Sequence, residues 1–229
     1  MTDWLRTIAF RVIFYIASVP MVLLVPVISP FGQRAVIAHA HRWAAIHRWA
    51  MRAILGISSR VEGPVPKGQY LYAAKHQAMY ETLELQLILN GPAMVLKREL
   101  MRIPVWGWAT RRYGSIVVDR EASSKALRQL MREGAAAKES GRSVIVYPEG
   151  TRVRPGETPP LRSGFAGLYK ALDLPVVPIA TDSGKLLPKK GAKHSGIVTF
   201  RFGDPIPPGL PRREAERRVW EAINALERR

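Results

Sequence analysis

The sequence predicts an α/β domain with a central, mostly parallel sheet flanked by helices, preceded by an N-terminal helical segment that associates with membrane. Three observations carry this. From residue 58 onward, six short apolar runs alternate with helix-patterned stretches, the arrangement that lays strands side by side with helices on their crossovers. Residues 8–28 form an apolar run with one charge, Arg11, just the ~20 residues that a bilayer core demands of a helix. Lys and Arg number 35 against 18 Asp and Glu, a net charge of +17, which suits anionic partners. With 229 residues, 47% of them hydrophobic, the chain can bury one sizeable core and carry a smaller appended segment. The expected organisation is N-terminal helices over 1–57 and the α/β domain over 58–229.

The elements follow in order. Pro20 and Pro26 fall inside the apolar run and are expected to kink or interrupt its helix. Basic residues, Arg6 and Arg34, flank both ends, so monotopic insertion competes with a full span. The run is long for a signal peptide and no small-residue cleavage pattern follows it, so an anchor is expected over a cleaved leader. Residues 33–57 place Val36, Ala40, Trp43, Ile46, Ala50, Ala53 and Ile57 at helical spacing, with Arg34, His41, Arg48 and Arg52 on another side. Such a helix fits a membrane interface, or a core with a solvated basic face. His39, His41 and His47 lack neighbouring carboxylates, so they read as interfacial or surface residues and no metal is expected. Strands are expected at 69–74, 93–97, 115–119, 143–148, 175–180 and 197–202. Helices are expected at 78–90, 104–112, 123–140, 163–172 and 212–228. Leu127, Leu130, Met131 and Ala135 form the apolar stripe of the 123–140 helix, and Gly141 supplies its stop.

Four stretches bear chemistry. In "AAKHQAMYETLEL", His76 and Glu81 stand five apart. On one continuous helix they would diverge by about 140°. They meet only if His76 sits in the strand–helix turn and Glu81 in the helix's opening turns. An imidazole can then take a proton from an alcohol while the carboxylate fixes its tautomer; a helix-surface pair of this kind is also common. In residues 96–120, Lys97, Arg98, Arg102, Arg111, Arg112 and Arg120 are interleaved with apolar and glycine residues, a density that can bind phosphate or simply meet solvent. "YPEGTR", 147–152, follows a buried-looking strand, the carboxyl end where ligands bind in open α/β sheets. There Gly150 permits close backbone approach, Thr151 and Arg152 offer a hydroxyl and a guanidinium, and Glu149 is placed to orient Arg152. Residues 161–184 join a glycine-containing helix to an apolar strand with Pro178, most of which reads as packing.

In this order and spacing the four stretches resemble the glycerolipid acyltransferase family, specifically its bacterial 1-acyl-glycerol-3-phosphate acyltransferases, over about residues 70–205. The family's His-x4-Asp block reads His76 to Glu81 here; the second block is "KRELMRIPVWGW" through "GSIVVDR"; Glu-Gly-Thr-Arg is intact at 149–152; the fourth is "LPVVPIA". The departure is Glu81, one methylene longer than the family's Asp. The resemblance implies acyl transfer from an acyl thioester, on acyl carrier protein or coenzyme A, to the 2-hydroxyl of lysophosphatidic acid, giving phosphatidic acid for phospholipid biosynthesis. His76 would be the base and Glu81 its support. Arg152, Arg120 and Lys97 would hold the acceptor phosphate, with Glu149, Gly150 and Thr151 shaping that pocket, and no cofactor or metal is called for.

The N-terminal segment would then anchor the enzyme to anionic membrane lipids, at the cytoplasmic face of a bacterial inner membrane. Two rivals stand beside this reading: transfer to another lysolipid, such as a lyso-ornithine lipid, or to glycerol 3-phosphate, and a non-catalytic basic membrane-binding module. Nucleic acid ranks last as a partner, because the strands carry mainly Val, Ile and Ala where an RNA-binding sheet would carry stacking aromatics.

Overall fold

A computed structural model describes residues 2–118 and 124–227. Helix α1 (Thr2–Leu23) opens the chain. It runs on through Pro20, where an interruption was expected, because the proline removes one hydrogen bond on an exposed face. The break comes at Leu24, and Pro26 instead lies in the first turn of the short α2 (Val25–Ile28), a position where the missing N–H costs nothing. A 3₁₀ turn at Ser29–Phe31 and Gly32 reverse the chain into α3 (Gln33–Ala50). α1 and α3 form an antiparallel hairpin: Phe14 packs on His47, the Trp43 indole donates to Ser18 Oγ (2.8 Å), and His39 Nε2 lies 2.7 Å from the Met21 carbonyl. His39 and His47 are therefore buried, against the expectation that they face an interface. α1 and α2 leave a continuous apolar stripe open, where Ile8, Val12, Ile16, Val19, Leu23 and Val27 are exposed.

One π-helical turn (Met51–Leu55) ends at left-handed Gly56 and leads into β1 (Ile57–Glu62). β1 shows no strand pattern in the sequence because "ISSRVE" is short and polar, and its strand character comes from pairing with β7. There follow β2 (Leu71–Ala74), α4 (Tyr80–Ile88), β3 (Ala93–Lys97), a 3₁₀ turn at Arg98–Arg102, α5 (Trp106–Tyr113), β4 (Ile116–Val118) and α6 (Ser124–Glu139). The chain continues with β5 (Val144–Val146), α7 (Ser163–Leu172), β6 (Val176–Thr181), α8 (Ser183–Leu186), β7 (Gly196–Phe202) and α9 (Arg212–Ile223). Gly107 has a packing reason: a Cβ there would lie 2.0 Å from the Met101 carbonyl oxygen. The closing helix stops at Ile223, short of the expected 228, where Asn224 turns away to meet Lys75.

The seven strands form one sheet in the order β1-β7-β6-β2-β5-β3-β4. β2, β3, β4, β5 and β6 run parallel, and β7 is antiparallel to β6. The central strands β2, β5 and β6 are buried throughout, as parallel strands covered on both faces must be. One face packs under α1, α3 and α4, with Phe10, Phe14, Ala44, Met51 and Leu55 sharing a core with Tyr80, Leu83, Val198 and Phe200. The other packs under α6, α7 and α9 through Leu130, Phe165, Leu168, Leu172, Val219 and Ile223. Because five neighbouring strands point the same way, their carboxyl ends fall on one edge. That edge receives His76 after β2, Lys97 at the end of β3, 147–152 after β5 and Ser183 after β6.

Candidate active site

The β2 strand ends at Ala74, and Lys75 to Met79 make the turn before α4. Glu81 is the second residue of α4, so its side chain reaches back over this turn, as the spacing required. Glu81 Oε1 lies 3.0 Å from His76 Nδ1 and also accepts the backbone N–H groups of Gln77 (2.6 Å) and Ala78 (2.7 Å). Its Oε2 accepts the Ser183 hydroxyl at 2.8 Å. The Glu81 side chain is fully buried and that of His76 is 16% exposed. With so many donors converging on the carboxylate, Nδ1 carries the proton, and among the described residues Nε2 has no partner and is able to accept a proton. The Tyr147 ring lies over the imidazole, centroids 4.4 Å apart. Among the described residues its buried hydroxyl has no hydrogen-bond partner, and burial, then the nearby Glu81 charge, push its pKa far up, so it stays neutral.

Glu149 is placed differently from its expected role. Its Oε2 accepts the His76 backbone N–H at 2.9 Å and its Oε1 pairs with Lys75 Nζ at 2.9 Å. Both carboxylate oxygens are thus taken up inside the protein, and it does not orient Arg152. Burial raises its pKa, opposed first by the Lys75 ammonium and then by the His76 N–H. Lys75 is fully buried and donates to the Glu157 carbonyl and to Asn224 Oδ1, each at 2.6 Å. The His76 carbonyl accepts the Val153 N–H at 2.8 Å, so the 147–153 loop clamps the histidine from both sides of its own backbone.

The same loop presents Gly150, Thr151 and Arg152. Gly150 has φ +70°, and a Cβ there would press within 3.0 Å of Arg162 Cγ, so the close turn needs glycine. Thr151 and Arg152 are exposed. A cleft of about 2080 Å³ runs along this edge, lined by His76, Lys97, Gly150, Thr151 and Arg152, and extends to Phe14, Ser18 and Trp43 of the α1–α3 hairpin. Arg120 lies outside the described residues. Lys75 and Ser183 are site residues that the sequence does not single out. The signal for both was their place directly after a strand, but their partners are distant in the chain. Among the described residues, no three His, Asp or Glu side chains cluster as metal ligands would.

An imidazole supported by a buried carboxylate, at the carboxyl edge of an α/β sheet and opening on a long apolar cleft with basic residues at its rim, has the chemistry for group transfer on an apolar substrate with an anionic head. Residues 57–182 match the Acyltransferase family model. The chain belongs to that acyltransferase family. It is 34% identical over 164 residues to the 1-acyl-sn-glycerol-3-phosphate acyltransferase of Pseudomonas aeruginosa, a match covering 70% of this chain and 64% of that protein. The Escherichia coli protein of the same name is 28% identical over 145 residues, covering 61% of this chain and 57% of that one. The match thus spans about two thirds or less of the length of these relatives. The crystal structure of the 1-acyl-sn-glycerophosphate (LPA) acyltransferase of Thermotoga maritima superimposes with a TM-score of 0.75 at 22% identity, covering 99% of this chain and 98% of that one, which is a likeness of fold.

Proposed function

We propose that this protein transfers an acyl chain from an acyl thioester to the 2-hydroxyl of lysophosphatidic acid, giving phosphatidic acid. The single observation that carries the chemistry is the His76–Glu81 pair, its Nε2 left for substrate in a cleft that runs along the apolar hairpin. In the reaction, His76 Nε2 removes the proton of the acceptor hydroxyl as its oxygen attacks the thioester carbonyl. The buried Glu81 carboxylate stabilises the resulting imidazolium. Collapse of the tetrahedral intermediate breaks the C–S bond, and the imidazolium returns its proton to the leaving thiolate. Arg152 and Lys97 hold the acceptor phosphate at the rim, with Thr151 and the Gly150 turn shaping that pocket. Glu149 acts one step back, fixing the His76 backbone. The activity for which the bacterial relatives are named supports this choice of acceptor, and the +17 charge supports an acidic carrier protein or coenzyme A as donor carrier.

The exposed apolar face of α1 and α2 inserts into the bilayer, from the cytoplasmic side of the bacterial inner membrane, so that the cleft takes both lipids from the membrane. Anionic headgroups meet the basic surface around it. The test is acyl transfer from labelled acyl-carrier and acyl-CoA thioesters to lysophosphatidic acid. His76→Ala is expected to lose at least ~100-fold. Glu81→Gln, which keeps the acceptor oxygen but removes the charge, loses less. A wild type that acylates other lysolipids but not this one overturns the acceptor, and an unimpaired His76→Ala overturns the base.

A further inference from the structure

We propose that Arg11 of α1 and Lys193 of the 187–195 loop join Arg152 in holding the phosphate of the acceptor lysolipid, so that the anchoring helix supplies part of the headgroup site. The inference rests on the acyl-transfer reading for the identity of the anion. Its first support is geometric. The Thr7 hydroxyl on α1 accepts the Lys193 backbone N–H at 2.8 Å, and one turn beyond Thr7, about 40° around the helix, stands Arg11. The loop is pinned again by His194 Nδ1 against Asp3 at 2.9 Å. These contacts bring the loop to the side of α1 from which Arg11 projects. Lys193 Nζ donates to the Pro188 carbonyl at 2.8 Å. From the other side comes Arg152, on the wall of the cleft that holds His76.

The second support is electrostatic. Partial burial, then the Arg11 and Arg152 guanidinium groups, depress the Lys193 pKa, so the Lys193 ammonium feels both guanidinium groups. Among the described residues none of the three forms an ion pair with a carboxylate. The protein thus assembles like charges without neutralising them, an arrangement that a phosphate dianion relieves. Third, Arg11 is the lone charge in the apolar run 8–28, with exposed Ile8, Val12 and Ile13 around it. A charge kept on a membrane-facing helix is costly and needs an anionic partner.

Two lipid phosphates could fill this role, that of the acceptor and that of the surrounding bilayer. The cleft position of Arg152 favours the acceptor. The test uses the full chain in nonionic detergent, comparing Arg11→Gln, Lys193→Gln and the conservative Arg11→Lys and Lys193→Arg variants with wild type. In direct binding, wild type is expected to prefer lysophosphatidic acid over monoacylglycerol of the same chain length. Each Gln variant should weaken lysophosphatidic acid binding about tenfold, as loss of a charged hydrogen bond does, leave monoacylglycerol binding unchanged, and be restored by the conservative change. Equal lysophosphatidic acid binding by wild type and Gln variants overturns the proposal. So does a loss seen only on phosphatidylglycerol vesicles, which would assign the cluster to bilayer phosphates. In turnover, the KM for the acceptor should rise about tenfold while the KM for the thioester and kcat hold. A protein that shows the binding differences yet transfers no acyl group would keep this phosphate site and sink the acyl-transfer reading instead.

Discussion

The backbone of His76 is held by a buried ion pair. Lys75 and Glu149 are both without solvent contact, and Glu149 also receives the His76 N–H. A buried pair of this kind adds little net stability over an apolar equivalent, yet removing one partner strands the other charge. Lys75→Met is therefore expected to lower unfolding free energy by about 3–5 kcal/mol. Adding Glu149→Gln should recover most of that loss, because the amide oxygen still accepts the His76 N–H and no charge remains buried. Chemical denaturation of the two singles and the double gives the coupling directly. Additive effects would show that the pair is not the clamp described here. The same geometry accounts for a glutamate at 81: from the second residue of α4, its length lets one oxygen span His76 Nδ1 and two turn N–H groups while the other takes Ser183.

At the scale of elements, the hairpin of α1 and α3 is held to α4 by His47, whose ring contacts Phe10, Phe14 and Tyr80. Desolvation lowers the His47 pKa from 6.5 to about 3. The unfolded chain therefore binds a proton that the folded chain refuses. This histidine's contribution is fully favourable above pH 6.5 and is lost as pH falls from there toward about 3, with a slope approaching ~1.4 kcal/mol per pH unit. Thermal unfolding between pH 7.5 and 5, above the ordinary carboxylate range, should show this decline, and His47→Leu should flatten it. An unchanged profile in the variant would mean that His47 is not the group refused a proton. Arg48, one position on, pairs with the buried Glu84 of α4 at 3.0 Å, a second tie between the two helices.

For the whole molecule, the proposed bilayer contact draws on two features: the exposed apolar stripe of α1 and α2, and a net charge of +17. Attraction of basic groups to anionic lipid is screened by salt, whereas apolar insertion is not. Binding to phosphatidylglycerol-containing vesicles should therefore weaken from low salt to about 0.5 M but not vanish. Ile8→Asp with Ile16→Asp, both at exposed positions, should abolish the salt-resistant remainder and leave the fold intact. Vesicle sedimentation across salt concentrations measures both; salt-resistant binding by the double variant would place the insertion surface elsewhere.

Local pattern determined much of this protein. Helical and strand periodicity located most elements within a few residues, and the blocks around His76, Lys97, Glu149 and Pro178 identified the family, because periodicity and turn chemistry are properties of neighbouring residues. The tertiary structure decided the rest, through contacts between residues far apart in the chain. β1 is a strand only by pairing with β7, some 140 residues on. Glu149 turned from Arg152 to Lys75 because an unpaired buried ammonium costs more than an exposed guanidinium. Lys75 meets Asn224, Glu81 meets Ser183, and Lys193 meets α1. These partnerships arise where parallel strands end together and where a hairpin folds back, and no window of sequence contains both partners.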